Sequence, residues 1–308
     1  MNPFFRRGAF GALFFLSVVF SGTAFATGRP YFFFPETVEV GQPFLVEITA
    51  TEEPKGATAT WFGTSVPFHF TPSGDGFYAR LLLGTYVKTV RPGKYPLEIS
   101  LATNDRIDTK QVLISIIHRQ YEEDRLTLPD AMVSPPKTVL KRILKEQRMV
   151  QRVRETVSPY GFWDLPMTRP VSGSTSSTYG RRRILNGIPK SPHAGIDFRA
   201  PAGTPVLAAL SGRVVLTGNL YFSGTSVCID SGQGVVTYYY HLSEIFVREG
   251  QKVEKGAVIG KSGMSGRATG PHLHFGLSLL GHYVDAEALF SATPRDFLGK
   301  TKMLSLTN

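Results

Sequence analysis

The sequence predicts a mainly β protein with two folded units. Apolar and polar residues alternate in several short runs, as expected of strands with one buried face. These runs are residues 44–50, 95–101, 112–116, 206–208, 213–216, 226–229 and 235–240. Glycine and proline number 31 and 21 among 308 residues, which favours short strands and turns over a helical bundle. At roughly 150 residues per domain, this length suggests two domains.

Residues 1–26 have the pattern of an export signal. Arg6 and Arg7 precede an apolar run over residues 9–20, and Ala24-Phe25-Ala26 provides a small-x-small cleavage site. The run has about a dozen residues, short of the roughly 20 that span a bilayer. The sequence therefore predicts a signal peptide, with an uncleaved inner-membrane anchor as the alternative. After cleavage we expect no stable membrane insertion.

Charge and cysteine content narrow the classes of function. The formal charge is 34 − 24 = +10, which suits a cell envelope rich in anionic polymer. Nucleic acid also attracts basic chains, but the export signal and the lack of a binding motif argue against it. The single cysteine, Cys228, excludes a disulfide scaffold, a cysteine-ligated zinc ribbon and an iron–sulfur protein. We therefore expect an exported protein of the periplasm or cell envelope.

The chain after the signal divides into four segments. Residues 27–118 contain about seven short predicted strands, which fits an immunoglobulin-like β-sandwich. Residues 119–160 are predicted to be a helical linker capped by Ser134. The basic face of this helix is either solvated surface or a contact for an envelope polymer. Residues 161–295 are again rich in predicted strands, and residues 296–308 are predicted to be a tail.

Candidate catalytic residues concentrate in the third segment. His193 and Asp197 stand four apart, on a bend that enters a predicted strand. His272 and His274 stand two apart, so a strand places both imidazoles on one face, opposite two apolar neighbours. Each motif occurs by chance often enough to be weak by itself. Their concentration at predicted strand ends beside glycine turns indicates a site.

A fifth candidate, His241, ends the apolar run that begins at Val235. Regular alternation predicts that His241 shares a face with Tyr239, while Tyr238 and Tyr240 point to the other side. His282 is a weaker candidate, because its surroundings resemble a hairpin turn.

Two histidines and one aspartate are a ligand set typical of catalytic zinc, which keeps its fourth position open. We interpret His193, Asp197 and His274 as these ligands. A zinc-bound water falls from a pKa of about 15.7 to roughly 7 and becomes a usable nucleophile. His241 and His272 are then left to take the proton and to stabilise the oxyanion. No Gly-x-Ser-x-Gly motif is present, so a serine hydrolase is disfavoured.

At these residues the sequence closely resembles the lysostaphin-like, LytM-type family of zinc peptidoglycan endopeptidases. The matching motifs span about 110 residues and are Tyr179-Gly180-Arg181, His193-x₃-Asp197, Tyr240-His241-Leu242-Ser243, Gly250-x₂-Val253-x₂-Gly256, Gly270-Pro271-His272-Leu273-His274-Phe275 and Val284-Asp285. The resemblance implies a split β-barrel of the duplicated hybrid motif type. It also implies one zinc ion on His193, Asp197 and His274, with catalytic roles for His241 and His272. The implied reaction is cleavage of a peptide bond in peptidoglycan stem peptides or cross-links.

Three aspects of the function remain open in the sequence. Gly276 and Ala286 stand where this family commonly has other residues, which bears on contacts in the groove. The arginines at 181–183 either bind carboxylates of the stem peptide or form a solvated basic turn. The alternative function is a non-catalytic peptidoglycan-binding module that activates a wall amidase. The five intact candidate residues favour catalysis.

Overall fold

The computed structural model describes residues 29–104, 106–127, 130–299 and 301–307. The predicted signal peptide, residues 1–26, lies outside this range. Among the described residues, no helix has the length and apolar character needed to span a membrane. The protein is mainly β, as the sequence predicts.

The N-terminal region consists of short antiparallel and parallel strands arranged in two sheets. The strands are β1 (Tyr31–Phe34), β2 (Thr37–Glu39), β3 (Pro43–Ala50), β4 (Gly56–Trp61), β5 (Thr64–Pro67), β6 (Thr71–Ser73), β7 (Gly76–Gly84), β8 (Gly93–Ala102) and β9 (Ile107–Ile117). One sheet contains β1, β3, β7 and β6 in that order, and the other has the order β2-β9-β8-β4-β5. Residues of both sheets form one apolar cluster, in which Ile48 and Trp61 are fully buried.

Strand β3 is buried on both faces. Its alternate residues Phe44, Val46 and Ile48 belong to the cluster between the two sheets. Leu45 points the other way and joins the core of the C-terminal domain, together with Leu82 of β7. The alternation in the sequence predicts only one buried face, because it cannot reveal that a second domain covers this sheet.

The predicted helical linker contains a shorter helix and a strand. Strand β10 (Glu123–Leu126) precedes the helices α1 (Asp130–Val133) and α2 (Lys137–Arg154). Pro136, rather than Ser134, occupies the N-cap position of α2, and no side chain caps this end. The basic side chains on the outer face of α2 are exposed, namely Lys137, Lys141, Lys145, Arg148 and Arg152.

The C-terminal domain is built largely from one branched sheet. Its strands are β11 (Thr175–Ser177), β12 (Arg182–Leu185), β13 (Ile188–Pro189), β14 (Gly195–Arg199), β15 (Pro205–Leu207), β16 (Gly212–Leu220), β17 (Gly224–Asp230), β18 (Val235–Ile245), β19 (Lys252–Val253), β20 (Val258–Ser262), β21 (His272–Leu279) and β22 (His282–Tyr283). The main path of this sheet is β11-β14-β21-β18-β17-β16-β19, with β15, β20 and β22 paired alongside. Strands β12 and β13 form a separate sheet with β10 of the linker.

The end of the chain returns to the N-terminal region. A 3₁₀ helix (Glu287–Phe290) and helix α3 (Pro294–Leu298) lead to strand β23 (Lys302–Ser305). β23 pairs antiparallel with β1 and becomes the edge of that sheet. Leu306 is only 1% exposed and packs into the apolar cluster of the N-terminal sheets. The segment predicted as a tail therefore contains a helix, a strand and a core residue.

Candidate metal centre

Two paired strands bring three potential ligands to one point. Asp197 of β14 lies directly opposite His274 of β21, and His193 precedes β14. His193 Nε2 lies 3.0 Å from Asp197 Oδ1 and 3.0 Å from His274 Nδ1. His274 Nδ1 lies 2.7 Å from Asp197 Oδ1. Within the described ranges, this is the one group of three or more histidine, cysteine and acidic residues with converging ligand atoms. The structure therefore brings together the three residues predicted as ligands.

Gly195 allows the two strands to approach this closely. It lies two residues before Asp197, and a Cβ atom at this position would lie 2.2 Å from the carbonyl oxygen of Phe275. The same Cβ atom would lie 2.8 Å from Nε2 of His274. A side chain at residue 195 would therefore push against both the backbone of β21 and a ligand ring.

The ring of His193 is fixed by a hydrogen bond on the side away from the cluster. Its Nδ1 atom lies 2.8 Å from the carbonyl oxygen of Thr178 and 3.2 Å from the hydroxyl of Ser177. Because a carbonyl oxygen only accepts, Nδ1 carries the proton and donates to Thr178. Nε2 is then left with a lone pair that points at Asp197 and His274, as metal coordination requires.

A β-bulge occurs where β18 reaches the cluster. Tyr240 and His241 of β18 together stand opposite the single residue Ser226 of β17. The backbone of His241 has a φ of 63°, a left-handed conformation that is uncommon for residues other than glycine. The bulge therefore interrupts the regular alternation of side chains along β18.

The bulge turns His241 away from the face predicted by alternation. Tyr239 lies in the apolar core of the domain, where its hydroxyl accepts a hydrogen bond from the backbone N–H of Ala209. His241 lies instead on the histidine face, with its ring centroid 4.7 Å from that of His272 and 6.1 Å from that of His274. The prediction that His241 shares a face with Tyr239 is wrong, because the extra residue in the bulge reverses the side-chain direction.

In the two further histidines, His241 and His272, the same ring nitrogen is left without a proton. Nδ1 of His241 lies 2.8 Å from the carbonyl oxygen of Ser265, and Nδ1 of His272 lies 2.8 Å from that of Gly270. Both Nδ1 atoms therefore carry the proton, and Nε2 of each ring has the lone pair. Nε2 of His272 lies 3.9 Å from Oδ1 of Asp197. Both rings are thus positioned to exchange a proton beside the cluster.

Burial and charge set the protonation of the cluster. Burial, reinforced by His274, lowers the pKa of His241 to about 3. Burial also lowers the pKa of His274 to about 4, although the hydrogen bond with Asp197 opposes this effect. Burial by itself would raise the pKa of Asp197, but His193 and His274 hold it well below its usual range. Near neutral pH Asp197 is therefore an ionised carboxylate and the ring of His274 keeps a lone pair, the forms that bind a metal ion.

The donor set fits a catalytic metal site. Two imidazole nitrogens and one carboxylate oxygen converge in a largely buried position, and Nδ1 of His193, on the side away from the cluster, is hydrogen-bonded to a carbonyl oxygen. Zinc sites with three such protein ligands keep a position for water or substrate.

The other candidates lie away from the cluster. His282 packs against Phe62 of the N-terminal region, with ring centroids 4.8 Å apart. Cys228 is fully buried in an apolar cluster.

The sequence analysis did not identify the contact of Arg183, whose Nη2 donates to Oδ2 of Asp197 at 3.1 Å. The run of three arginines was visible, but nothing in it distinguishes the one that reaches Asp197.

Comparison with known proteins agrees with this geometry. Residues 191–286 match the model of peptidase family M23. The crystal structure of a Pseudomonas aeruginosa protein assigned to peptidase M23 is 30% identical, with a TM-score of 0.59. That alignment covers 80% of this chain and 92% of the other.

Curated relatives match over a shorter region. Peptidoglycan DD-endopeptidase ShyA of Vibrio cholerae is 47% identical over 113 residues, which are 36% of this chain and 26% of the relative. DD-carboxypeptidase/endopeptidase Mpg of Neisseria meningitidis is 42% identical over 102 residues, which are 33% of this chain and 24% of the relative. The match thus spans about a quarter of the length of these curated relatives. From the family match and the extensive likeness to the Pseudomonas structure, we conclude that this chain belongs to peptidase family M23.

Proposed function

We propose that this protein is an exported zinc metalloendopeptidase that hydrolyses peptide bonds in peptidoglycan stem peptides or cross-links. The observation that carries the proposal is the convergence of His193 Nε2, Asp197 Oδ1 and His274 Nδ1, each within 3.0 Å of the others. His241 and His272 lie beside this cluster with their Nε2 atoms available. The substrate is supported by the names of the relatives ShyA and Mpg and by the basic charge of the chain.

His193, Asp197 and His274 would hold one zinc ion. When bound, zinc supplies a Lewis acid that polarises a carbonyl and lowers the pKa of water. His241 and His272 each hold a proton on Nδ1 and leave Nε2 with a lone pair, so either ring can accept the proton of the attacking water there. The ring that has accepted this proton can then donate from Nε2–H to the oxyanion or pass the proton to the leaving amine. The low pKa of His241, about 3, keeps its ring neutral at physiological pH, so Nε2 retains its lone pair.

The proposal also includes an architecture for each of the two regions and a cellular location for the protein. Two five-stranded sheets that share an apolar cluster support an immunoglobulin-like β-sandwich in the N-terminal region. The branched ten-stranded sheet supports a split β-barrel of the lysostaphin-like type in the C-terminal domain. The export signal predicted in residues 1–26 supports a periplasmic or cell-envelope location, with peptidoglycan as the partner.

Two substitutions separate metal binding from catalysis. Asp197→Ala removes a ligand, so we expect loss of both bound zinc and peptide-bond cleavage. His272→Ala leaves the ligand set intact, so we expect normal zinc content and cleavage reduced by about 10²–10⁴-fold. Zinc is measured by elemental analysis, and cleavage by chromatographic separation of muropeptides released from cross-linked peptidoglycan, with and without chelator.

Two results would contradict the proposal. Normal zinc content in a folded Asp197→Ala variant would exclude this residue as a ligand. Unchanged muropeptides after incubation with the folded, zinc-loaded wild-type protein would favour the alternative, a peptidoglycan-binding module that activates an amidase.

A further inference from the structure

We propose that Arg183 is a positioning residue that makes Asp197 a one-oxygen ligand and so protects the open coordination position of the metal centre. The inference rests on the proposed function only in taking His193, Asp197 and His274 as metal ligands. Arg183 lies outside residues 191–286, the segment that matches the family model.

The two oxygens of the Asp197 carboxylate have different partners. Oδ1 faces the ligand nitrogens of His193 and His274, at 3.0 and 2.7 Å. Oδ2 accepts a hydrogen bond from Nη2 of Arg183 at 3.1 Å. The Asp197 and Arg183 side chains are only 13% and 26% exposed, so water competes little for this ion pair. One oxygen is therefore directed to the metal position, and the other is directed away from it.

The linker between the two β regions holds Arg183 in place. β12 pairs in parallel with β10, and Asp124 of β10 is opposite Arg183 in this register. Nε of Arg181 donates to Oδ1 of Asp124 at 2.7 Å, and Nη2 of Arg182 lies 3.3 Å from a carboxylate oxygen of Glu123. Two of the three consecutive arginines thus contact acidic residues of the linker. Arg183 alone among them contacts a ligand of the metal centre.

The choice of partner matters because a carboxylate binds a metal ion through one oxygen or through two. If Oδ2 also turned towards the metal ion, it would take the coordination position that water or substrate needs. An arginine guanidinium keeps its charge at all physiological pH values and has a planar shape that matches a carboxylate. Arg183 is therefore suited to hold Oδ2 during every step in which the metal ion is present.

The test compares Arg183→Met with Arg182→Met in the full chain. Both substitutions remove an arginine from β12, but Arg182 is 69% exposed and pairs with Glu123 rather than Asp197. Each protein is loaded with Co²⁺, whose visible absorption reports its coordination number, and is also assayed as the zinc form on cross-linked peptidoglycan. For Arg183→Met we expect a weaker visible band, because the coordination number increases. We also expect kcat to fall by about 10–100-fold, as is typical for loss of a residue that orients a metal ligand.

For Arg182→Met we expect the wild-type Co²⁺ spectrum, because the parallel backbone pairing of β12 with β10 remains and Asp197 keeps its contact with Arg183. Circular dichroism of the metal-free proteins checks that each variant is folded, and Arg183→Gln replaces Arg183→Met if the latter is not. A wild-type Co²⁺ spectrum in the folded Arg183 variant would overturn the inference. Equal spectral changes in both variants would also overturn it, since they would trace the effect to β12 as a whole.

The spectral measurement needs no substrate, so the two proposals can fail separately. A protein that cleaves no peptidoglycan but has an Arg183-dependent spectrum would reject the endopeptidase and keep the positioning role. A protein that cleaves peptidoglycan but has a Co²⁺ spectrum that does not depend on Arg183 would reject the positioning role and keep the endopeptidase.

Discussion

Substitution of Gly195 by alanine tests the close approach of β14 and β21. The new Cβ atom would lie 2.2 Å from the carbonyl oxygen of Phe275, whereas real Cβ atoms essentially never come closer than 3.0 Å to such an atom. The new Cβ atom and this carbonyl oxygen must therefore move apart by at least 3.0 − 2.2 = 0.8 Å. This shift acts directly on His274, whose Nε2 atom would be 2.8 Å from the same Cβ.

The displacement is large on the scale that metal and catalytic sites tolerate. A functional constellation must be held within about 0.5 Å of its productive geometry, and a misplacement of about 1 Å costs on the order of 100-fold in rate. We therefore expect Gly195→Ala to reduce peptidoglycan cleavage by about 100-fold. Overpacking in a tightly packed region should also lower the free energy of unfolding by about 1–3 kcal/mol.

The assay measures zinc affinity by competition with a chromophoric chelator, together with muropeptide release and urea unfolding. Gly270→Ala is the matched control, because it lies beside the same site and its Cβ atom would meet nothing within 4 Å. We expect the control to retain wild-type zinc affinity. If Gly195→Ala bound zinc and cleaved peptidoglycan as the wild type does, the argument from strand separation would be refuted.

Two further predictions concern stability. Burial, reinforced by Arg154, lowers the pKa of His282 from 6.5 to about 4, so the unfolded chain binds a proton below about pH 6.5 while the folded protein does not. The contribution of His282 to the free energy of unfolding is therefore complete above this pH and is lost as the pH falls towards 4. When the pH is lowered from about 7 to about 5.5, the free energy of unfolding measured by urea titration should fall by about 1 kcal/mol less in His282→Phe than in the wild type. Equal acid sensitivity in wild type and variant would contradict this. Leu306→Ala should lower the free energy of unfolding by about 2–5 kcal/mol, because Leu306 is 1% exposed in the N-terminal core, and an unchanged urea midpoint would show that the end of the chain does not dock there.

Local spacing was sufficient to predict much of the site. The strand period of two correctly placed His272 and His274 on one face, where both approach Oδ1 of Asp197, with Leu273 and Phe275 fully buried on the other. The spacing of His193 and Asp197 predicts a bend that enters a strand, and in the structure His193 precedes β14 while Asp197 lies within it, opposite His274 of β21. The shared face and the bend depend on a few neighbouring residues, so they could be predicted from the sequence, whereas the pairing of β14 with β21 joins distant segments.

Other features depend on partners that are distant in the sequence. His241 turns to the site because two residues of β18 face one residue of β17, and a register shift of this kind leaves no mark in the alternation of residues 235–241. Arg183 differs from Arg181 and Arg182 in its partner, because it contacts Asp197 of β14 whereas the other two contact acidic residues of the linker. Strand β23 is four residues long, and its partner β1 lies near the other end of the chain. A short run without its partner gives too weak a periodic signal to identify.

The pairing of β23 with β1 has a consequence for biogenesis. During synthesis from the N-terminus, β1 emerges before the strands of the C-terminal domain, while β23, which covers its outer edge, emerges after them. Until then the backbone N–H and C=O groups along that edge lack a partner and can pair with another chain. The N-terminal sheet therefore completes its folding only after the C-terminal domain has been synthesised, and a nascent chain stalled before residue 302 should be especially prone to aggregation.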